Sequence, residues 1–347
     1  MRALVFDRFE GPLTVCQVPA PTAPGDGVVI RVEATGLCRS DWHGWMGHDP
    51  DVRLPHVPGH EFAGVVEEAG STVRKWKAGD RVTVPFAVGC GSCPQCRTGN
   101  PHICDDYYQP GFTAWGSFAE FVAIPHADAN LVRLPEQLGF VESASLGCRF
   151  VTSFRALVSQ GRVHAGDWVA VHGCGGVGLS AIMIARALEA RVIAVDVRRE
   201  ALALADQLGA QHTLDASQTT DIVDAIRQLT VGGAQVSLDA LGSRATCHNS
   251  VACLGKRGRH VQVGLMLGDD RNAPVPMNLV IAKELEILGS HGMPAHDYGD
   301  VFDLILNGSL DLKRLVHKTI GLAEAPNEFE AMGKFNTLGA TVIDRFG

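Results

Sequence analysis

VAVHGCGGVGLSAIMIARALEARVIAVDVRRE, residues 169–200, is the stretch on which the architecture turns. A short apolar run, Val169 to His172, enters Gly173-Cys174-Gly175-Gly176-Val177-Gly178, and an Ala- and Leu-rich stretch of helical spacing follows. Strand, glycine turn and helix in that order make the fingerprint of a dinucleotide-binding βαβ unit. Gly173 permits the tight turn. Gly175, with Gly176 beside it, lets the backbone approach a pyrophosphate on the helix N-terminus, and Gly178 lets helix and strand pack closely. Asp196 ends the next apolar run, 18 residues past Gly178. A carboxylate there accepts hydrogen bonds from ribose hydroxyls and repels a 2′-phosphate, which favours NAD(H) over NADP. Arg198 and Arg199 follow at once and soften that preference. The competing reading is a purely structural glycine turn in some other α/β protein.

Outward from this stretch, short apolar runs alternate with amphipathic ones. WVAVHG (168–173), RVIAVDV (191–197), HTLDA (212–216), VSLDALG (236–242), GRHVQVGL (258–265) and LEILGSHG (285–292) read as six strands, with LSAIMIARALEA and REALALADQLGA as helices between them. Strands alternating with helix-length segments predict a doubly wound parallel sheet. Before residue 150 the chain is rich in Gly and Pro, with β-branched runs such as GVVIRVEATG and FAGVVEEAG, and reads as an irregular, mostly β domain. The tail has an amphipathic helix, YGDVFDLILNGSL, and a closing strand, ATVIDRF, and returns to the first domain. The expected domains are 1–149 with 290–347, and 150–289.

The 347 residues fit two domains, and 46% hydrophobic with 20% charged residues is ordinary for a globular protein. No apolar run is long enough to span a bilayer and the N-terminus lacks a signal-peptide pattern, so neither a membrane nor secretion is expected. Lys and Arg total 30 against 38 Asp and Glu, a net charge of −8 that disfavours nucleic acid. A cytoplasmic location follows, where ten cysteines signify metal or catalysis rather than disulfides.

Four of those cysteines fall within GCGSCPQCRTGNPHIC, residues 89–104. Cys90, Cys93, Cys96 and Cys104 are spaced C-x2-C-x2-C-x7-C. Four thiolates complete a tetrahedral zinc and leave no place for substrate, so the stretch is a brace. An iron–sulfur cluster accepts four cysteines as well, and the spacing does not exclude it. A second set is dispersed: Cys38 in GLCRSDWHGW, His60 in VPGHEFAGVV and Cys148 in LGCRFVTSF. Two thiolates and an imidazole would leave zinc one open position, the catalytic arrangement. Cys16, Cys174, Cys247 and Cys253 read as buried free thiols.

Cys38-Arg39-Ser40-Asp41, Gly59-His60-Glu61, the four-cysteine lobe, Cys148 and the glycine loop with Asp196 occur in one order over nearly the whole chain. In this the sequence resembles the zinc-dependent alcohol dehydrogenases of the medium-chain dehydrogenase/reductase superfamily. The resemblance implies a GroES-like catalytic domain beside the Rossmann cofactor domain, two zinc ions per chain, NAD(H), and small alcohols, aldehydes or ketones as substrates. Cys38, His60 and Cys148 would hold the catalytic zinc, Glu61 would approach it as its fourth ligand exchanges, and Asp41 would orient the His60 ring. Ser40 would bond the substrate oxygen and His43 pass its proton outward with a pKa near neutrality. Arg39 would face the cofactor phosphates, Thr152 and Val177 the nicotinamide, and the carbonyls around Val263 and Leu265 its carboxamide. Read without the resemblance, His43 is a surface histidine, Ser40 caps a turn and Arg39 faces solvent. The chain departs from the family at Ala340, where many members carry an arginine that reaches the pyrophosphate.

On this reading the metal acidifies an alcohol and hydride passes to the nicotinamide. Phe86, Trp45 and Trp115 are the expected substrate pocket, favouring apolar or aromatic alcohols, although each aromatic could equally be core. The rivals are a polyol or amino-alcohol dehydrogenase of the same superfamily, against which Cys148 counts, and a non-catalytic NAD- and zinc-binding protein. The resemblance also implies a homotetramer, with LEILGSHG as a possible edge of the joined sheets.

Overall fold

The structure, a computed structural model, describes residues 1–334 and 338–347. Two compact units emerge: Met1–Val151 with Gly292–Leu306 and Asp311–Gly347, and Thr152–His291 with Asn307–Leu310.

In the second unit all six expected runs are strands: Trp168–His172, Arg191–Asp196, His212–Asp215, Ala234–Asp239, Leu254–Gln262 and Glu286–Gly289. All are parallel. Numbered one to six along the chain, they stand 3-2-1-4-5-6, the doubly wound order. The central strand Trp168–His172 is buried throughout, as an unbroken apolar run demands. The strand Leu254–Gln262 stops short of its expected end because the Val263 and Gly264 N–H groups turn to the Asp239 carbonyl, at 3.1 and 2.8 Å. The core gathers Ile193, Val195, Ile226, Val251 and Leu254.

The first unit carries a seven-stranded mixed sheet in which Val28–Gly36 and Glu61–Ala69 pair antiparallel at the centre. The tail strand Ala340–Arg345 enters between Val316–Gly321 and Val28–Gly36, and Val342 and Ile343 are fully buried there. The tail helix runs Tyr298–Leu306 and ends where Gly308, at φ +83°, breaks the helical path. Cys174, Cys247 and Cys253 are buried, but Cys16, expected inside, is exposed. It lies on the strand Thr14–Gln17, where alternation turns Val15 to the core and Cys16 outward. Among the described residues no helix is long and apolar enough to cross a membrane.

Gly178 sits where helix Gly176–Ala187 meets the glycine turn, and a Cβ there would lie 1.8 Å from the Gly173 carbonyl oxygen. Gly178→Ala is therefore expected to lower the denaturant midpoint, at a cost of about 1–3 kcal/mol for overpacking. An unchanged midpoint in urea titration would contradict that close approach.

Candidate active site

Cys38 caps the helix Arg39–Trp45, and Asp41, in that helix's first turn, folds back on it. Asp41 is buried, and its Oδ2 accepts the Cys38 backbone N–H at 3.1 Å. Its Oδ1 accepts the Gly59 N–H at 3.0 Å and lies 2.7 Å from His60 Nδ1. That contact turns His60 Nε2 the other way, where it is buried without a hydrogen-bond partner among the described residues. Cys38 Sγ, a His60 nitrogen, a Glu61 oxygen and Cys148 Sγ all lie within 4.8 Å of one another. An orphaned imidazole nitrogen facing two thiols and a carboxylate is a donor set that suits zinc.

The electrostatics agree. The neighbouring Cys148 thiol and the His60 ring hold Cys38 well below its ordinary pKa in spite of burial, while Cys148 is pushed well above by Cys38 and by burial. Burial raises Glu61 to about 7 against the pull of Arg149. Arg149, which the sequence did not single out, grips that carboxylate: its Nε lies 2.9 and 3.0 Å from the two oxygens and its backbone N–H donates at 3.0 Å. A lone arginine beside Cys148 in an otherwise apolar run was the available signal.

Ser40 Oγ lies 3.8 Å from Cys38 Sγ. His43 is half-buried, with its Nδ1 2.9 Å from His48 Nδ1. Burial, then the positive charge of Arg39, lowers its pKa to about 4, well below the neutral range expected for a relay. Arg39 stacks 4.5 Å over the Trp42 ring and donates to the Met332 carbonyl. Phe86 and Phe112 meet the His60 ring edge-on, at centroid distances of 6.1 and 5.3 Å. Phe112 went unnoticed in the sequence, which gives an isolated aromatic no address. Trp45 packs against Phe329 and donates to the Gly11 carbonyl at 2.9 Å, whereas Trp115 donates to the Pro55 carbonyl at 3.0 Å and is about one-third exposed.

The thiols of Cys90, Cys93, Cys96 and Cys104 also lie within 4.8 Å of one another, with Cys93 and Cys104 Sγ at 3.7 Å. Four sulfurs about 2.3 Å from one tetrahedral ion stand roughly 3.8 Å apart. The spacing therefore fits a single ion better than an iron–sulfur cluster, whose thiolates sit on separate irons. Backbone N–H groups of Cys93, Cys96 and Asp106 point at the sulfurs of Cys90, Cys93 and Cys104, at 3.3–3.4 Å.

In the second unit Gly173 takes φ +96° and Gly175 has open space around it, so the turn presents bare backbone. Gly176 and Val177 open the helix Gly176–Ala187. Asp196 Oδ2 accepts the Cys174 N–H at 2.7 Å and Oδ1 the Arg198 N–H at 2.9 Å, with the Arg198 guanidinium 3.6 Å away. Thr152 is buried and its hydroxyl has no hydrogen-bond partner among the described residues. Val263 and Leu265 lie in the turn after Leu254–Gln262, and Leu265 is exposed.

Comparison with known proteins gives the family. Residues 24–136 match the alcohol dehydrogenase GroES-like domain and residues 176–307 the zinc-binding dehydrogenase family. The chain is 35% identical to an NAD-dependent alcohol dehydrogenase of Sulfurisphaera tokodaii, over 99% of each chain. It superposes on the alcohol dehydrogenase TADH of Thermus sp. ATN1 with a TM-score of 0.91 and 32% identity over the whole of both chains. Benzyl alcohol dehydrogenase of Acinetobacter calcoaceticus gives a TM-score of 0.91 at 29% identity over 99% of each. Two matched domains, the doubly wound sheet and full-length likeness place the chain in one family: it belongs to the zinc-type alcohol dehydrogenases of the medium-chain dehydrogenase/reductase superfamily.

Proposed function

We propose that the chain is an NAD-dependent alcohol dehydrogenase that interconverts apolar or aromatic primary or secondary alcohols with their aldehydes or ketones, using two zinc ions per chain. The observation that carries this is the convergence of Cys38, His60 and Cys148 around a buried His60 nitrogen that has no hydrogen-bond partner among the described residues. Those three residues would hold the catalytic ion, with Glu61 beside them, and Cys90, Cys93, Cys96 and Cys104 the structural one. When bound, the catalytic zinc would acidify the substrate hydroxyl. NAD on the glycine loop would take the hydride.

The chain's own residues supply placement and the proton path. Asp41 fixes the His60 tautomer and ring direction. Ser40, next to Cys38, receives the hydrogen bond of the substrate hydroxyl, and His43, kept neutral by burial and Arg39, takes a proton outward. Phe86 and Phe112 flank His60 and exclude water, which supports apolar alcohols, and a relative named for benzyl alcohol points the same way. Two thiols in the set speak against a polyol dehydrogenase, and an intact Ser40 and His43 against a non-catalytic member. Arg39, Thr152, Val177, Val263 and Leu265 complete the proposed cofactor contacts. A cytoplasmic homotetramer fits the free cysteines and the edge position of strand Glu286–Gly289.

Metal analysis with an alcohol panel tests the core of this. The native protein is expected to hold about two zinc ions per chain, and Cys38→Ser to lose one of them together with all NADH formation. One zinc in the native protein, or no turnover with any primary, secondary or benzylic alcohol, would sink the reading. Asp196→Asn removes the charge but keeps an acceptor, so the NADP-to-NAD ratio of kcat/KM should rise about tenfold. A ratio that does not move would assign Asp196 to loop support alone.

A further inference from the structure

A chain of buried polar groups runs through the second unit. Asp239, at the end of strand Ala234–Asp239, accepts the Leu241 and Gly242 N–H groups on Oδ1 at 2.9 and 3.0 Å. Its Oδ2 accepts the Gln262 Nε2–H at 3.0 Å, and the same Nε2 donates to the Gly264 carbonyl at 2.9 Å. Gln262 Oε1 lies 3.2 Å from His260 Nε2, and His260 Nδ1 lies 2.9 Å from Ser250 Oγ. Asp239, His260 and Ser250 are essentially inaccessible to solvent.

Only one assignment satisfies every group. Gln262 spends both amide hydrogens on Asp239 and Gly264, so its oxygen must accept from His260 Nε2–H. His260 Nδ1 must then accept from the Ser250 hydroxyl, and burial, by lowering the His260 pKa, keeps the ring neutral. The chain locks two turns together. Gly242 and Gly264 meet backbone to backbone: a Cβ on Gly242 would fall 2.3 Å from the Leu265 carbonyl oxygen, and one on Gly264 2.3 Å from the Gly242 nitrogen.

Strand order says what those turns face. The glycine loop follows the central strand, Asp196 ends its neighbour on one side, and Asp239 and Gln262 end the next two strands on the other. Ligands of open α/β sheets lie outside the carboxyl ends of the strands. A dinucleotide with its pyrophosphate on the loop and one ribose at Asp196 must lay its other half across residues 240–242 and 263–265. We propose that Asp239, Gln262, His260 and Ser250 are positioning residues that hold these two turns in register as the seat of the nicotinamide half of the cofactor. This rests on the NAD reading above.

Two ligands separate the outcomes: NADH, and ADP-ribose, which lacks the nicotinamide. Gln262→Met keeps the bulk and removes every polar contact of the link. The proposal expects it to weaken NADH about tenfold, the worth of one or two hydrogen bonds, while ADP-ribose stays within about twofold. Equal weakening of both ligands, or none for NADH, would overturn it. If Gln262→Met does not fold, Ser250→Ala decides at the far end of the chain: a loss confined to NADH supports the proposal, and any other pattern overturns it. Should the native protein bind neither ligand, the NAD reading itself falls and takes the proposal with it.

Discussion

Asp41 reaches two segments that lie well apart in the chain: the one bearing Cys38 and the one bearing Gly59 and His60. Its carboxylate is buried and accepts from all three. Each of these donors would cost about 1–3 kcal/mol if left buried without a partner. The arrangement is therefore over-determined. The thiol of Cys38 and the outward nitrogen of His60 owe their positions to one residue that itself offers nothing to the cluster's centre. Gly59 completes the constraint, because at φ +107° its missing Cβ leaves room for the Phe118 backbone nitrogen, which would otherwise lie 2.7 Å away.

A second clamp faces the first. Glu61 and Arg149 form a buried ion pair, and a broken pair of this kind leaves an uncompensated charge inside the protein. Since Arg149 directly follows Cys148, the grip on Glu61 also fixes where the Cys148 backbone runs. The strand start at Glu61 and the helical turn at Cys148 are thus tied together by charge, as Cys38 and His60 are by hydrogen bonds. Apolar packing of Phe86 and Phe112 on His60 fills the remaining side.

What was legible in the sequence followed from how local the physics was. The glycine loop and the cysteine lobe each carry their whole signature within a short stretch, so spacing alone announced them. Strand runs were legible because a parallel sheet is buried on both faces, and their ends were less so, since the turn at Val263 depends on a carbonyl from another strand. Cys38, His60 and Cys148 have no spacing to read; ligand chemistry grouped them, and the resemblance gave them their role. Arg149 and Phe112 had neither spacing nor motif, and Trp45 and Trp115 show that a large aromatic in sequence does not declare its neighbours. The fall of the His43 pKa comes from burial and from Arg39, both invisible before the chain is folded.

The interrupted course of the first unit bears on how the protein is made. Its sheet takes the strand Ala340–Arg345 into an interior place, between one strand from the beginning of the chain and one from near the end. On the ribosome, residues 152–291 emerge as a nearly complete body while the earlier sheet still lacks two adjoining strands. Until translation passes Arg345, the end of Val28–Gly36 at Thr35 and Gly36 lacks its partner strand on one side, although Phe121–Ile124 already covers Val28–Arg31, and unpaired backbone of this kind invites pairing with other chains. Nascent protein thus carries an open backbone position in an early strand that closes only when a strand some three hundred residues later has been made.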